Sequence, residues 1–188
     1  MVDVKKYIWS IPLLAGILGL LGIITPAVYI SMFATDFYYW LWGFVIFKTY
    51  PPWVPEEYIG FTTNTTQLIL LNISTILIIT SAIILIVTAV IFKKNRNYSS
   101  VIENTWLICA FLSIGAAIFW IMVVESPTGG SLTPMPPGMQ FWTYFSPHFG
   151  IIAPFISSGF AIGGMAAYRH FLRGEREPIV SKEKKLDI

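Results

Sequence analysis

The side chains best suited to acid–base, nucleophilic or metal chemistry are few: two histidines, one cysteine and scattered carboxylates. His148 and His170 sit at opposite ends of one apolar run. They cannot share a metal there, and haem ligation would want histidines within the membrane spans. His148, at the start of that run, reads as an interfacial residue. Cys109, the single cysteine, lies inside another apolar run. No intrachain disulfide is possible, which removes four-helix disulfide oxidoreductases and tetraspanins with cysteine-stapled loops. Glu103, Glu125 and Arg169 fall at the ends of apolar runs, whereas a proton or ion path would place an ionisable group near their middle. No phosphate loop, HExxH or GxSxG pattern occurs, and Gly129-Gly130 and Pro136-Pro137-Gly138 are turn chemistry. A small membrane enzyme or accessory subunit handling a lipid or quinone would have to draw on His148, Glu125 and Asp36. The sequence assigns no catalytic residue, no cofactor and no metal ligand.

The elements that would position these groups are four apolar stretches at residues 7–31, 68–92, 101–125 and 147–172, each long enough to cross a bilayer as a helix. With the N-terminus in the cytoplasm, all of the 12 Lys and Arg except Lys48 fall on the cytoplasmic side. The reverse orientation opposes the positive-inside bias. The expected fold is an all-α integral membrane four-helix bundle over residues 1–173, in the cell membrane, with both termini cytoplasmic. Outer loops at 34–67 and 126–146 and a charged cytoplasmic tail at 174–188 complete the chain. The first stretch is too long for the apolar core of a signal peptide. A net charge of +2 follows from topology and is no nucleic-acid signature.

Small residues mark where helices can approach closely. Gly16, Gly19 and Gly22 form such a face on the first span. Ser74, Ser81 and Thr88 form a weakly polar seam on the second, and a pore built by an oligomer would need that seam on its axis. Gly159, Gly163 and Ala167 form a stripe on the fourth. Lys93 to Ser100 reads as a short turn making the second and third spans antiparallel neighbours. Ser100-x-x-Glu103 reads as a capping box, and Ser146-Pro147 as an N-cap with proline at the first helical position. Pro154 should kink the fourth helix.

The first outer loop holds FYYWLWGFVIFKTY from Phe37 to Tyr50, which has strand composition. Pro51, Pro52 and Pro55 break it, and Tyr58 to Thr63 can return as a second strand. A hairpin needs a third strand or a packing surface, and Gln140 to Phe145 is the candidate. The expectation is a small extracellular sheet or hairpin on the bundle; the alternative is that Phe37 to Phe47 lies in the interface as an aromatic belt. Asn64-Thr65-Thr66 is the one glycosylation sequon in this loop. Trp40, Trp42, Trp53 and Trp142 add to an aromatic load larger than helix ends require, and surplus apolar surface in water marks a contact site.

This layout resembles the claudin/PMP22-type four-span proteins. Claudins carry a Gly-Leu-Trp triplet and two cysteines in the first outer loop, on a small β-sheet; here Trp40-Leu41-Trp42-Gly43 occupies the corresponding region, with a different order, no cysteines and a shorter loop. The resemblance implies a non-enzymatic protein whose outer sheet makes side-by-side or cell-to-cell contacts. The expected role is self-association, as a homo-oligomer, or assembly with other membrane proteins. Trp40, Leu41, Trp42, Gly43, Trp53 and Trp142 are the candidate contact residues, with the three small-residue faces as candidate packing surfaces.

Overall fold

The computed structural model describes residues 6–32, 34–51, 55–62, 64–95, 99–125 and 146–173. Four helices pack in a ring, each against its neighbours: α1 (Ser10–Ile24), α2 (Thr65–Asn95), α3 (Ser100–Glu125) and α4 (Phe149–Tyr168). A π-helical turn, Arg169–Arg173, continues α4. Five short strands cap one end: β1 (Val28–Met32), β2 (Thr35–Tyr39), β3 (Phe44–Thr49), β4 (Glu57–Phe61) and β5 (Ser146–Pro147). They form one sheet in the order β4-β3-β2-β1-β5, with every recorded pairing antiparallel.

α2, α3 and α4 are long and apolar enough to cross a membrane; α1, at 15 residues, is a shorter apolar helix. The polarity of the bundle is the reverse of a water-soluble one. Leu14, Ile17, Ile76, Ile83, Phe111, Met122, Ile152 and Phe160 point outward, while Ser74, Thr75, Ser81, Ser113, Ser157 and Ser158 are buried. Such a distribution suits lipid, which would solvate the outward side chains at no cost and leave small polar residues to form the inner contacts.

The first helix is shorter than the expected span 7–31. Helix α1 stops at Ile24, Thr25 turns the chain, and Val28 to Met32 leave the bundle as β1. Pro26 forbids helix continuation, and β-branched Val28 and Ile30 suit the pleat. The sheet is also larger than a three-stranded one. The run from Phe37 to Tyr50 is two strands, because the chain reverses tightly at Trp40 to Gly43: the Trp40 N–H donates to the Phe44 carbonyl at 2.9 Å and the Gly43 N–H to that of Trp40 at 3.0 Å. Gly43 sits at φ +84, a region that favours glycine. Ser146 and Pro147 are a strand facing Tyr29 and Val28, so the expected N-cap gives way to His148. The candidate strand Gln140 to Phe145 lies outside the described residues.

Two apolar clusters hold the molecule together. At the sheet end, Phe37, Tyr39, Leu41 and Val45 meet Leu71, Ile78, Trp120 and Ile151. At the other end Phe92, Trp106 and Tyr168 pack edge-to-face, with ring centres 4.8–6.1 Å apart. There the Ser99 N–H donates to the Tyr168 hydroxyl at 2.6 Å, tying the α2–α3 turn to α4. Pro154 lies within α4, and its carbonyl accepts from Ser158 at 2.8 Å.

Candidate contact site

The tryptophan-bearing turn between β2 and β3 is anchored to the bundle. The Trp40 indole N–H donates to the Ile24 carbonyl at 2.9 Å, and that of Trp42 to the Ile23 carbonyl at 3.3 Å. Both acceptors belong to the last turn of α1, whose final carbonyls have no intrahelical partner. Leu41 is fully buried, and its carbonyl accepts from the Trp120 indole of α3 at 2.9 Å. A methyl group built on Gly43 would lie 2.7 Å from Leu68 of α2. The turn is thus pinned to three helices at once. Leu41 and Gly43 cannot serve as outward contact residues, because both are buried; Trp40 and Trp42 are half-buried. Trp53 and Trp142 lie outside the described residues.

The small-residue faces divide in the same way. Gly16, Gly19 and Gly22 are consumed inside the chain: methyl groups there would meet Ala82 and Ile86, Ala82, and Ala153 at 2.6–3.1 Å. Ser74 donates to the Ala116 carbonyl at 2.7 Å, and Thr88 accepts the Trp106 indole N–H at 2.8 Å. Ser81 bonds back to Leu77 at 2.8 Å within α2. The seam therefore faces neighbouring helices of its own bundle. The stripe on α4 does not: Gly159 and Gly163 are exposed with nothing within 4 Å of an added methyl, and Ala167 is half-buried. The buried face of α4 is instead Gly150, Ala153, Pro154, Ser157, Ser158, Ala161, Gly164 and Tyr168. Ser157 donates to Ala15 of α1 at 2.7 Å and Ser158 to Ala110 of α3 at 3.0 Å. The i, i+4, i+8 pattern was real, but two such patterns share this helix and the sequence does not say which faces in.

The outward face of the sheet is graded in polarity. The pairing register puts Ser31, Asp36, Lys48 and Glu57 in one cross-strand row. Lys48 bridges to Glu57 at 2.6 Å, and Asp36 accepts from the hydroxyls of Tyr29 and Tyr50 at 3.3 and 3.2 Å. The next row toward the bundle is Tyr29, Tyr38, Ile46 and Ile59, with Tyr29 and Tyr38 stacked at 4.7 Å. Below it Trp42 stacks on Phe44 at 5.0 Å, and Phe61 meets both edge-on. Partial burial, then the Asp36 carboxylate, pushes the Tyr50 phenol up, while Glu57 holds the Lys48 ammonium charged to higher pH. On the inner face, burial pushes the Tyr39 phenol far above its ordinary range, and the nearby Thr62 hydroxyl only partly offsets this. No hydrogen bond of good geometry reaches the Tyr39 oxygen.

β4 ends the sheet. The Thr49 N–H donates to the Glu56 carbonyl and the Thr62 N–H to that of Gly43. Antiparallel ladders alternate, so Tyr58 and Gly60 also bond inward to β3, and the backbone groups of Glu57, Ile59 and Phe61 point away. Tyr58, Ile59 and Phe61 are all exposed, Ile59 by 58%. Composition showed a strand here but gave no signal that it would be the edge.

Among the described residues no chemical centre assembles. His148 and His170 lie at the two ends of α4. Asp36 is engaged by tyrosines, and no contact among the described residues gathers Asp36, Glu125 and His148. Among the described residues, no group of three His, Cys, Asp or Glu is placed to hold a metal. Asn64 accepts the Gln67 N–H through its Oδ1 at 3.0 Å as the cap of α2. No protein-family model matches the chain, and no curated protein matches it.

Proposed function

We propose that this chain is a non-enzymatic, claudin-like tetraspan protein of the cell membrane, with both termini cytoplasmic, that self-associates through its outer sheet. The reading of three long apolar helices and a shorter fourth as spans is supported by the outward apolar faces and by the charge asymmetry. One end bears Lys6, Lys93, Lys94 and Arg169; the sheet end bears Asp36, Glu56, Glu57 and Glu125 against Lys48. A helix, four strands, two helices, a fifth strand and a last helix, in that order, support the likeness to claudins, as does the tryptophan turn seated on the bundle.

The observation that carries self-association is the β4 edge, on which no described strand pairs. Among the described residues the outward backbone groups of Glu57 and Ile59 meet no further strand, the outward Phe61 carbonyl accepts only the Tyr58 hydroxyl at 2.9 Å, Ile59 and Phe61 are exposed, and the strand contains no proline to protect it. A second copy pairing there satisfies those groups and removes apolar surface from water. Ile59→Pro is the discriminating variant: its N–H points outward, so the change spares the β3 ladder and blocks edge pairing. In mild detergent the wild type should sediment as a defined oligomer and Ile59→Pro as the monomer with an unchanged melting profile. An Ile59→Pro oligomer like the wild type's would remove the edge from the account.

A further inference from the structure

The end of the bundle opposite the sheet gathers positive charge that assembly through the sheet does not use. α1 runs antiparallel to α2, with Gly16 against Ala82 and Ile86. Two turns back along α1, Trp9 therefore reaches Lys93, whose Nζ lies 4.2 Å from the centre of the indole ring. Gly164 of α4 rests on Pro12 and Ile11, which brings Arg169 and His170 to this same end. Lys6, Lys93, Lys94, Arg169 and His170 are all exposed. Among the described residues the only carboxylate here is Glu103, mostly buried and 3.7 Å from Arg169.

We propose that this end binds anionic phospholipid headgroups, with Lys93 and Lys94 contacting the phosphate and Trp9 positioning Lys93. The proposal rests on the reading that the helices cross a bilayer, and not on self-association. A lysine side chain ordinarily samples many rotamers; the ring face holds this ammonium in one place and leaves N–H donors for an acceptor. Indoles settle at headgroup depth, so the clamp sits where lipid phosphates are. No carboxylate described at this end competes for the two lysines, and an anionic lipid supplies the missing charge.

The test is native mass spectrometry of the detergent-solubilised full chain, titrated with phosphatidylglycerol or with phosphatidylcholine of the same acyl chains. The wild type should prefer phosphatidylglycerol. Lys93→Gln with Lys94→Gln should weaken that lipid roughly thirtyfold and leave phosphatidylcholine unchanged. Lys93→Arg with Lys94→Arg should retain binding, which separates charge from folding. Trp9→Leu should give a smaller loss, and Lys48→Gln, at the sheet end, none. Equal affinity of the wild type for both lipids, or full retention by the glutamine variant, overturns the proposal. So does displacement by glycerol phosphate at concentrations matching the lipid, which would make it a soluble-anion site. Failure of the protein to enter vesicles of either lipid would instead strike the membrane reading.

Discussion

At the scale of single residues, the most constrained positions are those where backbone approaches backbone. A methyl group on Gly150 would lie 2.5 Å from the Pro26 carbonyl oxygen, the same atom that accepts the Gly150 N–H at 2.8 Å. Neither the connection between α1 and β1 nor helix α4 can yield without breaking that bond. Gly150→Ala should therefore cost about 2 kcal/mol or more, whereas Gly163→Ala, with open space around it, should leave the melting temperature of the monomer unchanged. Thermal unfolding of both variants in one detergent checks the contrast. Tyr39 makes the opposite case, a buried phenol without a good partner. Tyr39→Phe should stabilise the sheet by about 1 kcal/mol. Burial raises the Tyr39 pKa, so the fold holds the neutral phenol. Its contribution is intact below the ordinary value of 10.0 and is lost as pH climbs beyond it. Tyr38 and Tyr50 are shifted the same way, and Lys48 loses its charge-dependent tie to Glu57 in the same direction. Unfolding followed by near-ultraviolet circular dichroism should stay flat to about pH 10 and then decline, less steeply in Tyr39→Phe.

At the scale of elements, the helices were legible because long apolar runs leave few alternatives, and the sheet was legible only as composition. β1 was hidden because Val28 to Met32 extend the apolar run of α1, and hydropathy cannot tell a strand leaving a helix from another helical turn. The reversal at Trp40 to Gly43 was hidden inside an unbroken aromatic run, where the single glycine was the only local sign. β5 was read as a helix cap, because Ser-Pro before an apolar run fits both roles and only the pairing with β1 decides. Rich aromatic content at Trp40, Leu41, Trp42 and Gly43 suggested surface, and in the structure this turn joins sheet to bundle. Trp40→Ala with Trp42→Ala removes two indole donors from the end of α1. It should loosen the sheet while the helices remain, lowering the melting temperature and opening Leu41 and Val45 to exchange. Hydrogen exchange confined to residues 28–61 is the expected signature; protection equal to the wild type's would show that the turn is not the anchor.

At the scale of the whole molecule, polarity is inverted across the bundle and segregated along it. Serines and glycines knit the four helices, aliphatic and aromatic side chains face outward, positive charge collects at one end, and the sheet, with β4 as the edge of its described strands, stands at the other. The proposed self-association makes the β4 edge of that sheet a contact surface. The most direct test is disulfide trapping in native membranes, with Ile59→Cys in a Cys109→Ser background. Antiparallel pairing of two β4 edges brings the two introduced thiols within bonding range. The account predicts a crosslinked dimer on mild oxidation for Ile59→Cys and none for Ser31→Cys, at the opposite side of the sheet. Monomer alone at Ile59→Cys, or equal crosslinking at both positions, would contradict it.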